Sequence, residues 1–410
     1  MQKRVVLKNC GRVDPGSIRS FLRKDGFAAL EKAQKQLSPQ KVIDEVTASG
    51  LLGRGGAGFP CGIKWKLAAE READEKFIVC NADEGEVGTF KDRYLLENDP
   101  FTLVEAIAIA GWAVGARKAF IYLRGEYHFL SGLILNAIGQ AKDKGFLSHI
   151  DIELREGAGA YMCGEESGLM NSIEGLRGEA RYKPPFPPER GLWGMPTLVN
   201  NVETLMNVPQ ILLNGSAWFR AMGTEQSKGT KVFSVSGDVA LPGIYELELG
   251  SKLSELVGLA AARDIKMIQI GGACGRVVPA AMIDSPLSYE SILGSGAVTV
   301  FNQTRDVIDV MYRNMEFLAE ESCGKCTPCR DGTEAMLEIL GRLAGGEGAG
   351  EDIAAMEDLS RVMSLSALCG LGQSACVPVM DTLNYFRKEY ESRIEQSVYL
   401  RTLGSHIFHK

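Results

Sequence analysis

Apolar residues set the local periods of this chain. Val42, Ile43 and Val46 fall on one helical face; Ser38 and Pro39 supply an N-cap and a first-turn proline, and Gly50 ends the run. Segments 77–80, 119–123 and 149–154 read as strands, separated by helical patterns near 100–115 and 126–144. Strands alternating with helices of this length predict parallel βαβ units. From Lys231 the period changes to two. Residues 231–239 and 244–249 alternate around a Leu-Pro-Gly turn, followed by a helix at 253–262 and strands near 266–270 and 297–301. Beyond 306 only helical patterns remain, at 307–320, 334–343, 353–363 and 377–390, with a glycine-rich joint at 345–350. The expected organisation is an N-terminal extension (1–37), an α/β domain (38–228), a small sheet unit (229–306) and a helical domain (307–410).

Composition narrows the function classes. The 410 residues are 45% hydrophobic and 24% charged with a net charge of −7, which suits large buried cores under an ordinary polar surface. No basic run is interleaved with aromatics, so nucleic-acid binding is not expected. The longest uncharged apolar stretch, 106–116, is too short to cross a bilayer, and the opening residues hold no apolar leader core. A cytoplasmic location without direct membrane contact is the expectation. Glycine is in excess at 47 residues, against roughly 7% in an average chain. The excess lies in short clusters, which lets a backbone approach a ligand closely.

The cysteines carry the sharpest chemistry. Cys323, Cys326 and Cys329 stand in one run, Glu-Ser-Cys-Gly-Lys-Cys-Thr-Pro-Cys-Arg, and Cys369 follows in Ser-Ala-Leu-Cys-Gly-Leu-Gly. Three thiolates at this spacing plus a distant fourth form the ligand set of a [4Fe–4S] cluster. Structural zinc draws on two separated pairs instead, and none of the four histidines lies near the run. Spacing alone leaves the fourth ligand open, because Cys376 is one heptad beyond Cys369. The helical pattern places these cysteines on loops.

Three glycine-bearing segments point to a nucleotide or flavin. GRGGAGFP (53–60) matches GxGxxG but follows a helix and not a strand, unlike the dinucleotide turn. Its backbone N–H groups can form an anion nest, with Arg54 and Lys64 close in sequence. NADEGEVG (81–88) and GAGAYMCGEE (157–166) each follow a strand, the edge where open parallel sheets bind ligands. The segment 181–188 is stiff with proline and presents Phe186. NNVET (200–204) reads alone as a helix cap. Plain loops, a solvated turn and a linker account for each fragment taken singly.

In this order, GRGGAGFP, NADEGEVGTFKDR, GAGAYMCGEESGLMNSIEG, KPPFPPERGLWG, NNVET, ESCGKCTPCR and SALCGLG resemble the NADH-binding flavoprotein subunit of respiratory complex I and its soluble relatives in NAD-linked hydrogenases and formate dehydrogenases. The resemblance implies a Rossmann-like FMN- and NADH-binding α/β domain, a ubiquitin-like β-grasp module and a helical [4Fe–4S] domain. It implies FMN among Gly53, Gly55, Asn81, Asp83, Glu84, Tyr161, Gly164, Glu165, Asn200, Asn201 and Thr204, with Arg54, Gly56 and Val199 in the same set. Lys64, Glu86 and Glu166 are implied contacts of NADH, with Phe59 and Phe186 near the adenine. Cys369 becomes the fourth cluster ligand. Implied partners are a thioredoxin-like [2Fe–2S] subunit and a larger iron–sulfur subunit.

The expected activity is hydride transfer between NADH and FMN, followed by single-electron transfer to the cluster. The cofactors carry the chemistry and the protein supplies orientation and electrostatics, so no catalytic side chain is expected; Glu86 and Glu166 position the nicotinamide. Four glutamates, Glu84, Glu86, Glu165 and Glu166, are expected to place negative potential near the flavin. The alternative is an NAD(H)-binding sensor or a structural subunit without turnover.

Overall fold

The computed structural model describes residues 2–407, with side chains through 396. The tip of the expected helical domain, 408–410, lies outside the described residues.

Four parallel strands, β1 (Phe77–Ala82), β2 (Lys118–Leu123), β3 (Asp151–Glu156) and β4 (Thr197–Asn201), lie in the order β3-β2-β1-β4. Buried apolar residues fill both faces of β1, as a parallel sheet covered on two sides requires. Ile78, Cys80, Ala119 and Ile121 pack into the larger core with the almost wholly buried helix Pro100–Val114. Phe77, Val79, Phe120, Tyr122 and Val199 meet Leu169, Met170 and Leu192 on the opposite face. The sequence pattern did not predict β4. Its last residue, Asn201, also acts as the expected cap, its Oδ1 accepting the Glu203 N–H at 3.0 Å ahead of helix Val202–Asn214. Strand order reverses between β1 and β4, which opens a crevice at their C-terminal ends.

The second sheet comprises β5 (Thr230–Gly237), β6 (Gly243–Glu248), β7 (Ile265–Ile270), β8 (Arg276–Pro279) and β9 (Ala297–Asn302), in the order β6-β5-β9-β7-β8. Only the central β5–β9 pair is parallel. Helix Leu253–Leu259 buries Leu253, Leu256 and Val257 against Phe233, Val235, Ile268 and Val298.

Helices Val307–Glu320, Thr327–Ala344, Asp352–Ser366, Gly370–Ser374 and Val377–Ile407 form the bundle around Met311, Met315, Met336, Leu340, Met356 and Leu383. The second of these starts seven residues earlier than its apolar pattern suggested, with proline in its first turn. Cys329 therefore sits on a helix and not on a loop. The helix expected over 126–144 is divided into a 3₁₀ segment, Gly125–Leu130, and helix Ser131–Asp143.

The N-terminal stretch is part of the first core. Phe21 and Phe27 pack edge to face at 5.5 Å, and Phe21 stacks on Phe101. The buried Glu246 carboxylate accepts the N–H groups of Val5, Val6 and Leu7 at 2.9–3.0 Å, fastening this stretch to β6. No helix among the described residues is long and apolar enough to cross a membrane.

Candidate flavin cleft and cysteine hollow

The ends of β1 and β4 open into a cleft of about 250 Å³. Of the residues picked out from the sequence, Gly55, Asn81, Asp83, Glu84, Glu86, Tyr161, Gly164, Glu165, Asn201 and Cys369 line it. The GRGGAGFP loop reaches it because it is closed on itself: Leu52 and Pro60 bridge, and the Gly53 N–H donates to the Phe59 carbonyl at 2.9 Å. At Gly55 a Cβ would stand 3.1 Å from the Asn201 side chain, so the two segments approach only because the side chain is missing.

The polar groups of the cleft are arranged as acceptors. Asn81 donates from Nδ2 to the Gly164 carbonyl at 2.8 Å, while its Oδ1 accepts the Asp83 N–H at 3.0 Å. Asp83 Oδ2 is buried and has no donor among the described residues. Burial pushes its carboxyl up to about 7, with Arg124 opposing. An orphaned carboxylate oxygen in a cleft calls for a ligand donor, and the hydroxyls of a ribityl chain are such donors. The residues fit FMN.

The glutamates do different work from one another. Glu84 is a helix clamp: it accepts the Asp92 and Arg93 N–H groups at 2.8 and 2.9 Å and the hydroxyls of Thr89 and Tyr127. Glu86 accepts the Tyr161 hydroxyl and the Ala273 N–H, both at 2.8 Å, so the β7–β8 turn of the second sheet presses on the cleft. Burial raises both carboxyls. Glu165 caps helix Glu166–Ile173 and takes Lys183 at 2.6 Å. Burial alone would raise Glu166, but Lys64 at 3.0 Å and Lys183 at 3.1 Å outweigh it and hold it ionised. The bare negative field expected from four glutamates is thus tempered by two lysines and by protonation-favouring burial.

Several expected residues do not face the cleft. Arg54 is fully buried and its guanidinium donates to the carbonyls of Thr230, Leu52 and Lys228 at 3.0, 3.1 and 2.6 Å; it staples the loop to the second sheet and is not free for a phosphate. Thr204 Oγ1 accepts the Arg54 N–H at 2.7 Å, and Asn200 Oδ1 accepts Trp65 Nε1 at 2.8 Å. Val199 is buried and lends its carbonyl to Lys64 at 3.3 Å. Gly53 gives its carbonyl to the Tyr289 hydroxyl. Gly56 lines a neighbouring crevice together with Glu86 and Arg276. Phe59 and Phe186 are half exposed, and Phe59 lies 6.0 Å from the Lys64 ammonium. Sequence reasoning passed over Thr89, Lys91, Asp92, Met162, Ser295, Gly370 and Leu371 in the cleft wall. Lys91 and Asp92 stand within the NADEGEVGTFKDR motif but were given no role of their own.

Cys323, Cys326, Cys329 and Cys369 line one small hollow, with Met162, Leu368 and Leu371 as its apolar walls. Among the described residues no three ligating side chains converge tightly enough for a single metal ion. Four thiols spread around an apolar void suit a polynuclear cluster. Cys376 is outside the hollow, its thiol 3.4 Å from Met363 Sδ. Met162, Cys369 and Leu371 line both the hollow and the cleft, forming a common wall.

Residues 46–210 match the Nuo51 FMN-binding domain, and residues 309–393 match the NADH-ubiquinone oxidoreductase-F iron-sulfur binding region. A NADH-quinone oxidoreductase subunit of Aquifex aeolicus is 40% identical over 411 residues, covering 97% of this chain and 96% of its own. The chain belongs to this family of NADH oxidoreductase flavin subunits. Another family member, the NADP-reducing hydrogenase subunit HndC of Solidesulfovibrio fructosivorans, is 42% identical over 413 residues, 96% of this chain and 84% of that one. A solved NAD+-reducing [NiFe]-hydrogenase in the H2-reduced state superposes with a TM-score of 0.87 at 40% identity, over 90% of this chain. The chain spans 65% of the length of that solved one. Family membership brings FMN and a [4Fe–4S] cluster as cofactors, in agreement with the cleft and the hollow.

Proposed function

We propose that the chain accepts hydride from NADH at the β1–β4 cleft and passes electrons singly through the cysteine hollow to partner iron–sulfur proteins. The observation that carries this reading is the common wall: one cluster-ligand candidate, Cys369, belongs to both sites. Bound FMN would supply the conversion of a two-electron hydride into single electrons. The chain's own residues bind and orient. Asp83, Asn81 and Gly164 would hold the ribityl chain, and Glu86 is fixed beside it by Tyr161 and Ala273. Lys64, Glu166 and Lys183 form a charged rim on which the nicotinamide nucleotide would be positioned, with the open rings of Phe59 and Phe186 available to the adenine. Cys323, Cys326, Cys329 and Cys369 would hold the cluster.

The domain division at 38–228, 229–306 and 307–410 goes with this reading, and we take the five-stranded unit as the ubiquitin-like β-grasp module. Two hairpins, β5–β6 and β7–β8, on either side of a central β9 that runs parallel to β5, with one helix packed across, support it. The partners we infer are a thioredoxin-like [2Fe–2S] subunit and a larger iron–sulfur subunit, in the cytoplasm and without direct membrane contact. Val362 and Leu365 are exposed on the helix leading to Cys369, a surface suited to an apolar partner. The test is anaerobic reconstitution, flavin and iron assay, and titration with NADH. Flavin bleaching with about four irons per chain supports the route. Absence of both cofactors after reconstitution leaves a sensor or scaffold.

A further inference from the structure

Lys91 and Lys231 are buried and converge on the same oxygen, Glu203 Oε2: Lys231 donates a hydrogen bond to it, and Lys91 pairs with it as an ion at 3.0 Å. The second Glu203 oxygen accepts the Val232 N–H at 2.8 Å, and Lys231 also donates to the Val232 carbonyl at 2.9 Å. Lys91 reaches Asp92 Oδ1 at 2.7 Å and Asn201 Oδ1 at 3.4 Å; Asn201 Nδ2 closes the ring on Asp92 Oδ2 at 2.7 Å. Lys91, Asp92 and Asn201 line the flavin cleft, whereas Glu203 and Lys231 are sealed behind them. The network thus has a wet end in the cleft and a dry end between the two sheets.

Stability gives this arrangement little reason to exist. A buried ion pair costs about as much in desolvation as its attraction returns, and an apolar pair of equal volume is as good or better. The charge balance is more informative. Burial and the Lys91 ammonium pull Lys231 down to about 7 against the attraction of Glu203. Burial opposes ionisation of Glu203, but the two lysines keep it charged, and Asp92 and Glu203 hold Lys91 protonated. The other titratable groups around the network are Glu84, Cys80 and Tyr127 on the Asp92 side, and Tyr289, Arg54 and Glu246 on the Glu203 side. Lys231 is the member poised to change charge near neutrality.

We propose that Lys91, Glu203 and Lys231 form a redox-linked proton site, in which Lys231 binds a proton when negative charge builds up in the cleft and returns it when the electrons leave. This rests on the FMN reading of the cleft. A hydronium ion in the cleft gives up one O–H proton and leaves as water. The proton is relayed by Lys91 and the Glu203 carboxylate, so one N–H bond breaks and re-forms at Lys91 while a new N–H bond forms on the Lys231 amine lone pair, and no electron moves within the triad. Lys91 acts as the positioning residue that couples the sealed lysine to the cleft through their common carboxylate.

The experiment uses FMN-loaded protein. The flavin midpoint potential is followed by dithionite spectroelectrochemistry between about pH 6 and about pH 8, with free FMN in the same buffers as reference. Protons taken up per flavin reduced are counted with an indicator dye. The expected result is an uptake exceeding that of free FMN by a fraction rising to about one proton near neutrality, with the excess lost in Lys231→Met. Equal pH dependence in wild type and Lys231→Met overturns the proposal. If the variant does not fold, a wild-type uptake equal to that of free FMN overturns it independently. Failure of NADH, but not dithionite, to reduce the flavin removes the activity reading and leaves the proton count to decide this one.

Discussion

Replacing Arg54 separates two roles that a glycine-loop arginine can have. Arg54→Met keeps the aliphatic stem and removes the guanidinium. Three hydrogen bonds disappear, and the carbonyls of Thr230, Leu52 and Lys228 lose a charged donor. Each such bond contributes about 1.5–3 kcal/mol, and because the three act as one fork the loss is about 3–5 kcal/mol rather than the full sum. At 2–4 °C per kcal/mol for a unit of this general size, the thermal midpoint falls by roughly 6–20 °C. Arg54→Lys falls nearly as far, because an ammonium cannot span three carbonyls as the planar fork does. Scanning calorimetry on flavin-free protein reads the staple, and fluorescence titration reads FMN affinity. An unchanged flavin-free midpoint with FMN affinity weakened about tenfold would refute the staple and return Arg54 to the phosphate.

Three other outcomes are expected. Cys369→Ser abolishes iron incorporation, while Cys376→Ser keeps about four irons per chain; iron assay and electron paramagnetic resonance of reduced protein decide it. Gly272→Ala places a Cβ 2.0 Å from Glu86 Cγ on backbone at φ +81°, so Glu86 is driven from Tyr161 and Ala273. The KM for NADH should rise several-fold, costing about 1 kcal/mol or more of binding, while iron content is unchanged. Glu105, buried while accepting the Ala29 and Leu30 N–H groups, is pushed by burial up to about 7. Folding then binds a proton more readily than the open chain does, so this group's contribution to stability is full below about pH 4.5 and is lost as pH rises to about 7. Thermal midpoints across that window should fall in wild type and run flatter in Glu105→Gln.

Strands β1 and β2 were legible close to their true bounds because burial on both faces leaves a nearly unbroken apolar run. β4 was not: five residues ending in two asparagines show no such run, and the cap that Asn201 provides masked the strand before it. The start of helix Thr327–Ala344 had a signal, Pro328 in the first turn, but ligand cysteines there drew a loop reading. Among site residues, those whose chemistry lies in the backbone or in an acceptor, such as Gly55, Asn81 and Asp83, stood where their motifs put them. Arg54, Lys91 and Lys231 could not be placed, since a one-dimensional pattern does not tell an exposed cation from one buried among carbonyls or carboxylates.

The braces around the cysteine run bear on how the protein is made. Arg177 donates to the Cys323 carbonyl at 2.8 Å, Lys325 reaches Glu179 at 2.9 Å, and Glu321 accepts the Tyr161 N–H at 3.0 Å. Segments far apart in the chain thus help to fix the cysteine run in its final position. Metal delivery would meet a preassembled cradle late in biogenesis, after the nucleotide half has folded, and a chain caught before loading would show its defect in the glycine loop around Tyr161 as much as in the bundle.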